Sequence, residues 1–176
     1  MIFIGDIGGE YLTLMRLVDR CPKDRNILLL GDLNDRGPQS RQVIEWAIEN
    51  PAVDSLYSNH GDLMIDWWRK TGIYKGRVWI THNGGEQTLK SYGAKYVTTA
   101  LYGNSMYYLT TDYCTDEDAP EDDEHRLLIP PEHIDWLRTR PLFVETDEWI
   151  ATHAPINPTI PWPKFCDIHR LPSQDP

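Results

Sequence analysis

The chain has 176 residues, with 27 Asp and Glu against 17 Lys and Arg, for a formal net charge of −10. That length fits a single domain, residues 1–176, with a real core, and the acidity argues against a nucleic-acid binder held by phosphate contacts, which needs basic patches. No apolar run reaches membrane-spanning length and the start lacks a signal-peptide pattern; Cys21, Cys114 and Cys166 form neither a zinc pattern nor a disulfide framework, so a cytoplasmic protein with no membrane partner is expected.

Ile2 to Ile4 reads as a buried strand that runs into Gly5-Asp6-Ile7-Gly8-Gly9. Apolar residues at helical spacing predict an amphipathic helix over about 10–20. Asn26 to Leu30 is a second apolar strand, ending in Gly31-Asp32. A second helix, marked by Val43, Ile44, Trp46, Ala47 and Ile48, closes at Asn50-Pro51. Val53 to Tyr57 is a third short strand, leading to Ser58-Asn59-His60-Gly61, and Leu63 to Arg69 is helical again. This alternation predicts βαβ units and parallel strands, with ligands gathered at the carboxyl ends of the strands.

The middle of the chain is less regular. Gly84 to Ser91 reads as a short helix, and Tyr113 to Glu124 as an acidic, solvated loop. Pro130-Pro131 opens a helix reaching about Arg138, with proline tolerated in the first turn. Leu142 to Thr146 and Trp149 to Thr152 read as a hairpin that delivers His153. Residues 155–176 contain many prolines and little periodicity, so an irregular tail is expected.

The strand ends carry the chemistry. Asp6, Asp32, Asn59 and His153 would bring two carboxylates, an amide oxygen and an imidazole to one sheet edge, a mixed set suited to manganese, iron, zinc or magnesium. A carboxylate such as Asp32 can bridge two ions, and ions roughly 3.5–4 Å apart can clamp a phosphoryl group. The Arg36 fork suits phosphate oxygens. His60 can protonate a leaving oxygen if a carboxylate such as Asp35 orients it. Taken singly, Asp6 or Asp35-Arg36-Gly37-Pro38 is an ordinary turn, and a lone histidine is more often structural. It is the combination, in this order, that carries weight.

On these residues the sequence resembles the calcineurin-like metallophosphoesterases, in particular the phosphoprotein phosphatase branch with its phage and bacterial serine/threonine phosphatases. The blocks are Gly5-Asp6-Ile7-Gly8-Gly9, Gly31-Asp32-Leu33-Asn34-Asp35-Arg36-Gly37, Ser58-Asn59-His60-Gly61 and Thr152-His153-Ala154. Asn83-Gly84-Gly85 followed by Thr88 is a further likeness. The resemblance implies an α/β fold, a central β-sandwich flanked by helices. It implies two divalent ions, Mn²⁺ foremost, held by Asp6, Asp32, Asn59 and His153 with Asp32 bridging. It also implies Arg36 on the phosphate, and His60 as general acid paired with Asp35. The reaction would be attack of a metal-bound hydroxide on phosphoserine, phosphothreonine or a small phosphoester, with no phosphoenzyme. Hydrolysis of dinucleoside polyphosphates is the alternative within the same fold.

The sequence departs from that pattern. Gly8 stands where the family has a histidine ligand, Tyr57 where it often has an arginine, and Gly61 where it usually has a glutamate that Asp62 partly replaces. No Gly-His block follows His153, and His169 reads as a loop residue, so the fold is expected to be C-terminally incomplete. Weakened turnover is expected, and a non-catalytic binding module is the competing reading.

Overall fold

The computed structural model describes residues 1–69, 73–94, 97–102, 105–110 and 128–168. The acidic stretch Tyr113 to Glu124 and His169 lie outside the described residues.

Three short strands, β1 (Ile2–Ile4), β2 (Ile27–Leu29) and β3 (Val53–Ser55), form a parallel sheet in that order. The register pairs Ile4 with Leu29 and Leu29 with Ser55, so all three strands end level. Their connections are the helices α1 (Tyr11–Val18) and α2 (Ser40–Glu49), the βαβ rhythm expected from the sequence. After β3 come α3 (Asn59–Arg69), α4 (Ile73–His82) and α5 (Gly85–Ser91). An antiparallel hairpin, β4 (Val97–Tyr102) with β5 (Ser105–Thr110), follows. Then come α6 (Pro131–Arg138), a second antiparallel hairpin of β6 (Phe143–Glu145) and β7 (Ile150–Thr152), and α7 (Trp162–Ile168).

Alternation along the strands divides the core between the two faces of the sheet. Ile4, Ile27 and Leu29 belong to one cluster with Leu14 of α1, Val43, Ile44 and Ala47 of α2, Met64 of α3, Trp79 of α4, Leu89 of α5 and Ile134 of α6. Each fully buried aliphatic side chain there is worth roughly 1.5–3 kcal/mol of transfer free energy. Leu28 points the other way and packs with Leu56 and Ala151, backed by Val144 and Trp149 of the second hairpin. Phe3, also on that face, meets Trp149 edge-on at 4.9 Å between ring centroids. The β6–β7 hairpin therefore covers the face that the helices leave open, which gives the expected sandwich flanked by helices. It also fixes where β7 ends, beside the ends of β1 and β2. Among the described residues no helix is long and apolar enough to cross a membrane.

Two expectations need correction. Residues 155–176 were expected to be irregular, yet 162–168 form α7. Its Pro163 sits in the first turn, where a missing N–H costs nothing, and Trp162 stacks on Phe165 and meets Phe143 edge-on. The irregular middle likewise contains α4 and the β4–β5 hairpin.

Away from the strand ends, the Tyr92 hydroxyl and His133 Nδ1 share a hydrogen bond of 2.8 Å, with both side chains buried. Burial is the main influence and holds the His133 imidazole below the usual histidine range, against the weaker pull of Glu45 and Glu132 and with a small push from Arg41. The unfolded chain takes a proton at about pH 6.5 that the folded chain refuses, so stability falls as pH drops from there toward the lower folded value. His133→Gln keeps an acceptor for Tyr92 and does not titrate. Urea unfolding at about pH 7 and about pH 5.5 is expected to show a smaller loss of stability in the variant than in the native chain. Equal losses would remove His133 as the cause.

Candidate active site

Glycines set the backbone at the sheet edge. Gly31, just past β2, has φ +102°, and a Cβ there would lie 2.7 Å from His153 Nδ1 and from Ser58 Cβ. Only glycine lets the β7 histidine lie against this turn. Three residues that follow also hold positive φ without being glycine: Asp32 at 49°, Asp35 at 74° and Arg36 at 63°. Such backbone costs roughly 1–3 kcal/mol per residue and persists only where the surroundings over-determine it. Here they do. The Asp32 N–H donates to Ser58 Oγ at 2.9 Å. The Asp35 N–H is shared between Ser40 Oγ at 3.0 Å and Thr88 Oγ1 at 2.9 Å. Arg36 N–H reaches the Gly84 carbonyl, Gly37 N–H the Gly8 carbonyl, and Ile7 and Gly8 donate to the Asp32 carbonyl.

This framework brings the predicted metal-binding side chains together. Asp6, Asp32 and His153 each offer an atom within 4.8 Å of the others, a group able to hold a metal ion. His153 Nε2 lies 3.4 Å from Asp32 Oδ1 and 2.8 Å from Asn59 Oδ1, which completes the expected set. The His153 ring is oriented by its other nitrogen, which faces the Leu30 carbonyl at 2.8 Å. A carbonyl only accepts, so Nδ1 carries the proton and a neutral ring keeps its lone pair on Nε2. Nε2, the Asn59 oxygen and Asp32 Oδ1 then face one space, and that donor set fits a divalent ion.

Asn59 and His60 were expected at the end of the third strand, ahead of a helix from Leu63; they occupy the first turn of α3. Ser58 Oγ accepts the Gly61 N–H at 3.3 Å, as an N-cap does, while also accepting from Asp32. The helix start thereby delivers His60 toward β2. His60 Nδ1–H donates to Asp35 Oδ2 at 2.5 Å, and Arg36 Nη2–H donates to His60 Nε2 at 3.1 Å. Both His60 and Asp35 are buried, whereas Asp6 is exposed. His60 Nε2 lies 3.9 Å from Asp32 Oδ2, so the dyad adjoins the carboxylate cluster. The Asp35 hydrogen bond is the main influence on His60 and raises it above the usual histidine range; burial and Arg36 oppose, and the charges of Asp35 and Asp32 assist.

All seven residues expected from the sequence thus lie at one sheet edge. At the departures, a Cβ on Gly8 would meet only the Asp35 carbonyl, at 3.7 Å, so a side chain has room there, but φ of +54° would strain any residue other than glycine. Asp62 does not stand free as a replacement acid, because the Tyr57 hydroxyl donates to it. Burial and Asp62 both hold the Tyr57 phenol in its protonated form.

Sequence reasoning gave four contributors no role, although Ser58 and Thr88 stood in its motifs. Trp79 donates its indole N–H to both oxygens of Asp35, and Thr88 donates to Oδ1. Ser40 and Ser58 hold the two aspartate N–H groups. Besides the block that contains Ser58, the signal was the Asn83-Gly84-Gly85 and Thr88 likeness, which has a physical basis here. A Cβ on Gly84 would strike the Arg36 backbone, and one on Gly85 would lie 2.6 Å from the Trp79 ring.

Residues 1–169 match the calcineurin-like phosphoesterase family, and the chain belongs to it. It is 39% identical over 61 residues to the symmetrical bis(5'-nucleosyl)-tetraphosphatase of Chromobacterium violaceum, across 32% of this chain and 22% of that protein. It is 34% identical over 103 residues to the asymmetrical bis(5'-nucleosyl)-tetraphosphatase PrpE of a Geobacillus species, across 52% of this chain and 40% of that protein. The corresponding symmetrical enzyme of Dechloromonas aromatica is 39% identical over 61 residues. The matched stretches cover less than half the length of these relatives.

Proposed function

We propose that the chain is a metal-dependent phosphoesterase whose site lies at the ends of β1, β2 and β7. The observation that carries this is the group of Asp6, Asp32 and His153, with ligand atoms within 4.8 Å of one another, beside the His60–Asp35 pair. Asp6, Asp32, Asn59 and His153 would hold the metal, and Asp32 would serve both ions if two bind, as the family resemblance implies. Bound there, divalent ions supply Lewis acidity and make water a usable nucleophile near neutral pH.

The chain's own residues do the rest. Arg36 would grip the phosphate oxygens through its fork. Its N–H now rests on His60 Nε2, and engaging a phosphate would draw it away. Nε2 is then free to carry a proton, which it donates to the leaving oxygen while Asp35 steadies the imidazolium.

Two substrate classes have support. The names of the relatives favour dinucleoside tetraphosphates. The block from Gly31 to Gly37, with its likeness to the phosphoprotein phosphatase branch, favours phosphoserine or phosphothreonine. The test is Mn²⁺-dependent turnover of a bis(5'-nucleosyl) tetraphosphate and of a phosphoserine peptide by the purified chain, with products separated by chromatography. Release of nucleotides alone selects the first class, and release of phosphate alone the second. Mn²⁺ binding with neither product would overturn the enzyme reading and favour a binding module, consistent with Gly8.

A further inference from the structure

We infer that Trp79 and Thr88 are positioning residues that aim the Asp35 carboxylate at His60; the inference rests on the phosphoesterase reading above. Asp35 is fully buried, and a carboxylate taken out of water needs its lone pairs occupied by donors. Three side chains supply them. Trp79 Nε1–H spans both oxygens, at 2.9 Å from Oδ1 and 2.8 Å from Oδ2. Thr88 Oγ1 lies 2.7 Å from Oδ1, and His60 Nδ1–H takes Oδ2.

Thr88 grips both ends of the same residue. Its oxygen accepts the Asp35 N–H at 2.9 Å, so its own proton goes to the carboxylate. Ser40 Oγ, 3.1 Å away, ties that hydroxyl to α2. Trp79 has no freedom to turn. Its ring is wholly buried, meets Trp67 at 5.3 Å between centroids, and lies flush against Gly85. The indole N–H is therefore a fixed point on α4. With Trp79 and Thr88 in place, the carboxylate can present only one arrangement to His60 Nδ1.

A tryptophan buried in the core has a plain alternative role as packing. Trp79→Phe separates the two, because it keeps an apolar ring and removes the donor. Packing loss alone lowers stability and slows every substrate alike. Loss of positioning weakens only the step that needs a proton from His60. The native chain, Trp79→Phe, Thr88→Val and Thr88→Ser are compared with Mn²⁺ on phosphoserine, whose leaving oxygen needs a proton, and on p-nitrophenyl phosphate, whose leaving group does not. With phosphoserine, kcat is expected to fall about 10-fold in Trp79→Phe and Thr88→Val, part of the ~10²–10⁴-fold that a general acid supplies. KM should hold, p-nitrophenyl phosphate should change by less than about 2-fold, and Thr88→Ser should recover the rate. Equal losses on both substrates would overturn the inference.

A second measurement needs no turnover. The His60 Nδ1 proton, shared with Asp35 at 2.5 Å, should give a far-downfield proton resonance, identified by its loss in Asp35→Asn. That resonance is expected to shift in Trp79→Phe and Thr88→Val. If it does not move, neither residue positions Asp35, whatever the kinetics. If it moves while the native chain shows no hydrolysis, the phosphoesterase reading fails and the positioning stands.

Discussion

Asp32→Asn is expected to weaken Mn²⁺ binding by at least about 100-fold in calorimetric titration and to remove metal-dependent turnover. Even outer-shell partners of metal ligands are worth ~10–100-fold in affinity, and Asp32 is itself one of the group with Asp6 and His153, its Oδ1 3.4 Å from His153 Nε2. The substitution is chosen for its backbone. Asp32 holds φ at 49°, where Asn is among the few other residues that tolerate the left-handed region. Its N–H to Ser58 and its carbonyl to Ile7 and Gly8 are main-chain bonds and survive. The change therefore removes charge and leaves the turn. The native chain is expected to bind one ion tightly and a second weakly, since Gly8 offers no donor. A native-like isotherm in Asp32→Asn would remove the cluster from consideration as a metal site.

What the sequence disclosed, and what it withheld, follows from the range of the interactions. The first two strands were readable because each is a short apolar run stopped by a glycine, β3 because it follows α2 in the strand–helix rhythm and runs into a polar cluster, and α1 and α2 because their apolar residues keep helical spacing. Asp6, Asp32, Asp35, Arg36, Asn59, His60 and His153 were readable because each follows such a run. Helix α4 was hidden. Gly72 and Gly76 and the β-branched Val78, Ile80 and Thr81 weaken its local helix signal, and burial of Trp79 and Ile80 in the core overrides that weakness. The β4–β5 hairpin had a usable signal that went unread: two runs rich in Thr, Tyr and Val separated by Gly103-Asn104. The link from Trp79 to Asp35 spans 44 residues, and no spacing rule reaches that far. Ser58 was visible as part of a block, but its double duty depends on how α3 enters beside β2.

The departures from the family pattern also look different in three dimensions. Gly8 keeps the main-chain work of its position, donating to Asp32 and accepting from Gly37. Only the side-chain donor is missing, while the backbone scaffold that aligns Asp32, Asp35 and Arg36 is whole. Loss of a ligand and loss of the fold are thus separable here, which is why metal stoichiometry and turnover are expected to report different things.

His60→Asn should lower kcat on phosphoserine by about 10²–10⁴-fold, the range that general acid catalysis supplies, with far smaller change on p-nitrophenyl phosphate. The asparagine amide can still donate toward Asp35 in place of Nδ1–H, so the buried carboxylate keeps a partner there alongside Trp79 and Thr88. The His60 main-chain carbonyl, which accepts from Asn34, is untouched. The variant therefore loses the transferable proton rather than the dyad's packing. The pH profile gives an independent sign. Asp35 raises His60 above its unfolded value of about 6.5, so the acid form persists into the neutral range, and the rate on phosphoserine should fall as pH rises through the raised value. The same shift contributes stability that is full below about pH 6.5 and is lost as pH climbs through the folded value. In His60→Asn both the alkaline limb and that stability contribution should vanish together. An alkaline limb that persists unchanged in the variant would assign the proton to another group and leave His60 a structural partner of Asp35.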